Sequence, residues 1–98
     1  MVNLKNYFDE SASVIAKLNN QVDIIQKMSQ SIYKLKETNN KILIAGNGGS
    51  SADAEHFCGE LLCTFNDRER SGFAAVSLSN NPSAITAWSN DFSFESYF

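Results

Sequence analysis

Long apolar runs and an excess of basic residues are both missing from this 98-residue chain. No apolar run approaches the roughly 20 residues needed to cross a bilayer, and no apolar run follows the first charged residue as in a secretory signal. Lysine and arginine number 8 against 11 aspartate and glutamate residues, which gives a formal net charge of -3. This balance argues against nucleic acid or a membrane as the main partner, because both are bound by a basic face.

Cysteine is also scarce. Cys58 and Cys63 are five residues apart in a predicted helix, which points their side chains about 140° apart. We therefore predict that they do not bond to each other, and reduced thiols favour a cytoplasmic protein. As zinc ligands they lack evident partners in the sequence. With 43% hydrophobic and 19% charged residues, the chain is typical of a small folded domain rather than a disordered one.

Residues 1–40 are predicted to form an N-terminal helical hairpin. Apolar residues recur at helical spacing over 4–18 and again over 22–35. Asn19 and Asn20 interrupt the pattern between the two helices, and a polar, turn-like segment ends the second helix.

Residues 41–98 are predicted to be the N-terminal part of an α/β domain. Two short apolar runs, 41–45 and 73–78, are predicted strands buried on both faces, as in a parallel sheet. Helices are predicted over 51–65 and from Pro82 onwards. This alternation indicates a three-layer fold of flavodoxin-like or Rossmann-like type, in which helices flank a parallel sheet with right-handed crossovers. Two strands make a poor sheet, so we expect the sequence to be a fragment of a longer chain.

The segment Gly46-Asn47-Gly48-Gly49-Ser50-Ser51 joins the first predicted strand to the helix that follows it. Glycines let the backbone turn sharply and let a ligand approach it closely. The N–H groups at a helix start form an anion site, because the helix dipole lies behind them. The side chains of Asn47, Ser50 and Ser51 add hydrogen-bonding groups. The loop therefore predicts a phosphate ester or another oxygen-rich ligand, and a glycine turn that binds nothing is the alternative.

Two well-known nucleotide-binding loops fit this segment poorly. A P-loop requires a lysine after its last glycine, and none follows here. The dinucleotide fingerprint matches at Gly46 and Gly48, but Ser51 occupies the position of its third glycine. The acidic residue expected at the end of the second strand is also missing, because that strand ends at Leu78-Ser79. A Rossmann dinucleotide site stays an alternative.

His56 and Glu60 are four residues apart on the helix after the glycine loop, so their side chains share one face. At about 100° per residue, a different face carries the apolar side chains, namely Ala54, Phe57, Cys58, Leu61 and Phe65. The pair is therefore predicted to point away from the local core, towards solvent, a cleft or another subunit. An exposed pair without a special role is one interpretation. Alternatively, the pair binds a divalent metal such as zinc, or Glu60 removes a proton next to a carbonyl.

At these residues the sequence resembles the sugar isomerase (SIS) domain family and, within it, the phosphoheptose isomerases. The resemblance is carried by the block 46–57 with Glu60-Leu61, and by Ser89-Asn90-Asp91-Phe92-Ser93-Phe94. Members convert sedoheptulose 7-phosphate to D-glycero-D-manno-heptose 7-phosphate, an early step towards the heptose of lipopolysaccharide or other surface polysaccharides. The resemblance implies a cytoplasmic, zinc-dependent isomerase that assembles as a homotetramer.

The resemblance also implies roles for individual residues. Glu60 is the implied catalytic residue for proton transfer and also touches substrate, while His56 and Glu60 are the implied zinc ligands. The other implied substrate-binding residues belong to the glycine loop and to the segment near the end of the chain, namely Asn47, Gly48, Gly49, Ser50, Ser51, Asn90 and Asp91. The implied mechanism moves a proton between adjacent carbons through an enediol-type intermediate.

Part of the family's site is not found in this sequence. The family has a second serine- and threonine-rich phosphate loop, followed by a late glutamine and a late histidine that complete the metal site. The alternative function is therefore a non-catalytic SIS module that binds a sugar phosphate or a protein. A replication-initiator-associating protein of this kind lacks the glutamate at the position of Glu60, so the presence of Glu60 favours the enzyme.

Overall fold

The computed structural model describes residues 1–98, which divide into two compact units, 1–34 and 35–98. The first unit contains α1 (Leu4–Ala16), the 3-10 helix Lys17–Gln21 and α2 (Val22–Lys34). The second unit begins with the 3-10 helix Leu35–Glu37, ends with the 3-10 helix Phe94–Ser96, and has between them β1 (Ile42–Ile44), α3 (Gly49–Leu62), β2 (Ala75–Ser77) and α4 (Pro82–Asp91). None of the helices combines the length and the apolar character needed to cross a bilayer.

The N-terminal unit differs from the predicted hairpin. The segment Lys17–Gln21 is itself a 3-10 helix, and the residues on either side of it are helical: Ala16 has φ -60° and ψ -30°, and Val22 has φ -55° and ψ -43°. A chain reversal needs residues outside the helical region. The backbone therefore stays helical from α1 to α2, and Asn19 and Asn20 tighten it locally instead of ending it.

The two strands pair in parallel, which confirms the predicted kind of sheet. Ile42 lies opposite Ala75, and Ile44 lies opposite Ser77. The helix α3 connects the strands and packs on β2, and the small core between them consists of Ala54, Cys58, Leu61 and Ala75. Both cysteines are free, as predicted: Cys58 belongs to this core, whereas Cys63 is exposed.

The prediction that the strands are buried on both faces is wrong for this chain. Successive strand side chains point to opposite faces of a sheet. Ala75 and Ser77 of β2 are buried on the face that α3 covers. Leu43 and Val76 are register partners on the opposite face, and they are 59% and 41% exposed. Apolar composition shows that a strand suits a buried layer, but burial also requires a second layer to cover it.

The apolar face predicted for α3 is confirmed only in its central part. Ala54, Cys58 and Leu61 are buried as predicted, but Phe57 and Phe65 are exposed. The helix ends at Leu62, so Phe65 lies beyond it and no longer follows its periodicity. The helix is therefore anchored to the sheet by a narrow stripe of small and medium side chains.

Candidate active site

The glycine loop has a conformation that two of its glycines require. Gly48 has φ +59°, in the left-handed region that residues with a side chain adopt at a cost. A Cβ atom on Gly46 would lie 2.1 Å from the backbone oxygen of Ser50, because the loop folds tightly onto the first turn of α3. The loop is closed by the Ser50 amide, which donates to the Asn47 carbonyl at 3.1 Å, and by the Ser51 amide, which donates to the Gly48 carbonyl at 3.1 Å.

The N-terminus of α3 is left open. Asn3 and Asn81 cap α1 and α4 with side-chain oxygens, whereas no side chain caps α3 at Gly48. The amides of Gly48 and Gly49 donate no hydrogen bond within the chain. Unpaired N–H groups at a helix start, with the positive end of the dipole behind them, attract anions. The local structure thus agrees with an oxygen-rich ligand at this loop.

A cavity of about 220 Å³ adjoins the glycine loop. Its walls come from the loop and the start of α3, from the segment after β2, from α4 and from the C-terminal segment: Gly46, Asn47, Gly48, Ser51, Ser79, Ile85, Phe94 and Phe98. The Ser79 hydroxyl donates to the Gly46 carbonyl at 2.7 Å and fixes the loop to the end of β2. The Tyr97 hydroxyl donates to the Leu78 carbonyl at 3.0 Å. These two bonds hold the loop and the C-terminal segment at the carboxyl ends of the strands.

Four of the residues in this cavity were not predicted from the sequence, namely Ser79, Ile85, Phe94 and Phe98. Ser79 could have been found, because the carboxyl ends of neighbouring parallel strands lie at the same edge of a sheet, where ligands bind. Phe94 and Phe98 offered no such signal. Their position depends on the bond that Tyr97 makes with a strand end 19 residues earlier in the chain.

His56 and Glu60 form a pair on the outer face of α3, as predicted. The imidazole Nε2 atom lies 3.2 Å from the Glu60 Oε1 atom, within hydrogen-bonding distance. The His56 side chain is 79% exposed and the Glu60 side chain is 37% exposed. The pair is therefore accessible to a substrate or to another chain, and the hydrogen bond orients the carboxylate.

The nitrogen and oxygen donors of this pair are of the types that zinc binds. Nowhere in the chain do three or more histidine, cysteine, aspartate or glutamate side chains come together in a way that could hold a metal ion. A structural or catalytic zinc site has at least three protein ligands. The pair therefore fits part of such a site, and any further ligands would come from outside this chain.

Asn90 and Asp91 lie in the last turn of α4. The Asn90 side-chain amide donates to the Asp91 carboxylate at 3.0 Å, and both residues are exposed. The structure thus brings Asn47, Gly48 and Ser51 together around one cavity. The other predicted site residues lie outside the lining of that cavity, namely Gly49, Ser50, His56, Glu60, Asn90 and Asp91.

Comparison with known proteins shows what the chain is similar to. It is 40% identical over 94 residues to a probable phosphoheptose isomerase of Thermoplasma acidophilum, and this match covers 96% of the chain and 50% of the relative. It is 38% identical over 98 residues to phosphoheptose isomerase 2 of Campylobacter jejuni, covering 97% of the chain and 48% of that protein. The chain therefore spans about half the length of these curated relatives.

A solved structure has the same fold. The phosphoheptose isomerase of Neisseria gonorrhoeae superposes with a TM-score of 0.65 at 29% sequence identity, covering 98% of this chain and 51% of the other. The family model of the SIS domain matches residues 6–97. Since that match takes in nearly every residue, the chain belongs to the SIS domain family.

Proposed function

We propose that the intact protein is an aldose–ketose isomerase that converts sedoheptulose 7-phosphate to D-glycero-D-manno-heptose 7-phosphate. The observation that carries the proposal is that α3 combines two features of an active site. This one helix begins at an uncapped glycine loop and carries an accessible His56–Glu60 pair on its outer face. The similarity to proteins named phosphoheptose isomerase supports the same reaction.

The glycine loop and the end of α4 are the proposed substrate-binding segments. The free amides of Gly48 and Gly49 would donate to anionic or hydroxyl oxygens of the sugar phosphate. Other polar groups near these amides would add hydrogen bonds to the sugar hydroxyls, namely the side chains of Asn47, Ser50 and Ser51. Asn90 and Asp91 are exposed at the end of α4 and would also bind the substrate.

Glu60 is the proposed base. Its carboxylate would remove the proton from the hydroxyl-bearing carbon next to the substrate carbonyl, which leaves an enediol-type intermediate. It would then return the proton to the former carbonyl carbon while the hydroxyl proton passes to the former carbonyl oxygen, so that the carbonyl changes place. The hydrogen bond from His56 orients this carboxylate. His56 and Glu60 would also hold zinc with ligands from outside this chain. When bound, the zinc would act as a Lewis acid on the substrate oxygen.

The proposed assembly is a cytoplasmic homotetramer that serves the synthesis of surface-polysaccharide heptose. Large apolar side chains along α1 and α2 are exposed in the single chain, among them Phe8, Ile15 and Met28. An apolar surface of this kind is typical of a contact with another chain. Another subunit of the assembly would also supply further ligands to the exposed His56–Glu60 pair.

The experiment is Glu60→Gln in the intact protein, assayed with sedoheptulose 7-phosphate. We expect turnover to fall at least 100-fold, because general-base catalysis contributes about 10²- to 10⁴-fold. Glu55→Gln is the matched control, since Glu55 is an exposed carboxylate on the same helix. Near-normal turnover in Glu60→Gln would refute the proposed base.

A second candidate function is a non-catalytic SIS module that binds the sugar phosphate or a protein. Calorimetry distinguishes this module from the enzyme. This candidate is favoured by the separation of the glycine-loop cavity from the His56–Glu60 pair, which does not line that cavity. Heat of binding for sedoheptulose 7-phosphate without any conversion by the wild-type protein would favour the module over the enzyme.

A further inference from the structure

The C-terminal end of α3 is joined by hydrogen bonds to the loop that precedes β2. The last carbonyls of a helix have no partner within the helix. Here the Arg70 guanidinium donates through Nη2 to the carbonyl of Glu60 and through Nη1 to the carbonyl of Leu61, the latter at 3.1 Å. The Phe73 amide donates to the same Leu61 carbonyl at 2.9 Å. One arginine therefore caps the turn that carries Glu60.

The conformation of the loop that precedes β2 holds Arg70 against the C-terminal end of α3. A Cβ atom on Gly72 would lie 2.2 Å from the Leu62 carbonyl oxygen, so the backbone passes the helix end more closely than a side chain would allow. The Arg70 guanidinium carbon lies 5.4 Å from the centre of the Phe73 ring, and Nη1 also donates to the Ser71 carbonyl at 3.2 Å. The half-buried guanidinium is thus oriented by an aromatic ring and by three carbonyls.

We propose that Arg70 is a positioning residue, which fixes the Glu60 carboxylate by holding the backbone carbonyl of Glu60. The inference rests on the proposed function, in which Glu60 transfers the proton. The last turn of a helix frays readily, and Glu60 lies in that turn, whereas His56 lies one turn earlier. Arg70 therefore acts on the carboxylate of the pair and leaves the imidazole in place.

Replacement of Arg70 is expected to lower kcat without a comparable change in KM. In Arg70→Ala of the intact protein, we expect kcat to fall about 10- to 100-fold, because a misplacement of about 1 Å can cost about 100-fold. The KM should change less than kcat, since the glycine-loop amides proposed to bind the substrate lie at the other end of α3. Arg70→Lys keeps the charge but has a single amine, so it should recover only part of the loss. Arg68→Ala, an exposed arginine of the same loop, is the control and should keep the wild-type kcat.

Hydrogen exchange tests the positioning independently of turnover. The Cys63 amide donates to the Gly59 carbonyl at 2.9 Å, and the Phe73 amide donates to Leu61, so both report on the last turn of α3. In Arg70→Ala we expect both amides to exchange about tenfold faster, because a hydrogen bond from a charged group is lost there. Arg68→Ala should leave them unchanged.

Each outcome decides a different point. Unchanged exchange in Arg70→Ala would refute the positioning itself. Faster exchange with the kcat of the Arg68→Ala control would show a structural role alone and would also overturn the inference. A wild-type protein that never converts the sugar phosphate would instead refute the proposed function and the catalytic part of the inference with it.

Discussion

The close contact at Gly46 makes the glycine loop sensitive to a single methyl group. Gly46→Ala would place a Cβ atom 2.1 Å from the Ser50 oxygen and 2.4 Å from the Ser50 carbonyl carbon. Both atoms belong to the backbone, so no side-chain rotation can relieve the clash. An ordinary van der Waals contact needs about 3.5 Å, and the loop must therefore move away from α3 by more than 1 Å.

This movement has a cost that can be measured. Forcing an extra methyl group into a well-packed site typically destabilises a protein by about 1–3 kcal/mol. The hydrogen bond from Ser79 to the Gly46 carbonyl would be stretched by the same movement. We therefore expect the free energy of unfolding of Gly46→Ala, measured by urea denaturation of the intact protein, to fall by about 2 kcal/mol. The affinity for sedoheptulose 7-phosphate should fall as well, because the loop amides change position.

Gly59→Ala is the matched control. Gly59 lies inside α3, and an added Cβ atom there would meet nothing within 4 Å. Alanine should stabilise the helix at this position by about 0.5–1 kcal/mol. The same chemical change is thus expected to have opposite signs at two glycines that are 13 residues apart. Equal stability of Gly46→Ala and the wild type would refute the reasoning.

Two further predictions concern the metal and the C-terminal segment. His56→Ala of the intact protein should lose bound zinc in metal analysis, while Glu55→Ala should keep it; equal zinc in His56→Ala and the wild type would reject His56 as a ligand. Tyr97→Phe removes the bond to the Leu78 carbonyl, which is 3.0 Å long, and should lower the free energy of unfolding by about 1 kcal/mol. An unchanged urea midpoint in Tyr97→Phe would show that this bond does not hold the segment.

Local patterns predicted the parts of the fold that depend on local physics. An apolar run followed by glycines predicted β1 and the start of α3, and Pro82 predicted the start of α4, where Asn81 accepts from the Ala84 amide at 3.0 Å. The spacing of four residues predicted that His56 and Glu60 share an outer face. Each of these features is determined by a few consecutive residues, which is why the sequence alone was sufficient.

Features that depend on residues far apart in the chain could not be predicted from the sequence. Leu43 and Val76 are apolar like their neighbours, yet they are exposed because no layer of their own unit covers that face. Asn19 and Asn20 have weak helix propensity, but the backbone stays helical at these residues because the residues on both sides are helical. The carbonyl that Arg70 binds could not be predicted either, because only the folded loop brings the guanidinium to the Glu60 carbonyl, 10 residues earlier in the chain.

The two ends of α3 have opposite electrostatic arrangements, and this contrast bears on the proposed positioning of Glu60 by Arg70. The N-terminus has no side-chain cap, so its partial positive charge is available to an anion. The C-terminus has a partial negative charge, and the Glu60 carboxylate lies near it, an unfavourable position for an anion. The guanidinium of Arg70 donates to the carbonyls of that same end and offsets the repulsion. The helix dipole therefore does not explain why a carboxylate stands near this end, whereas the proposed proton transfer by Glu60 would explain it.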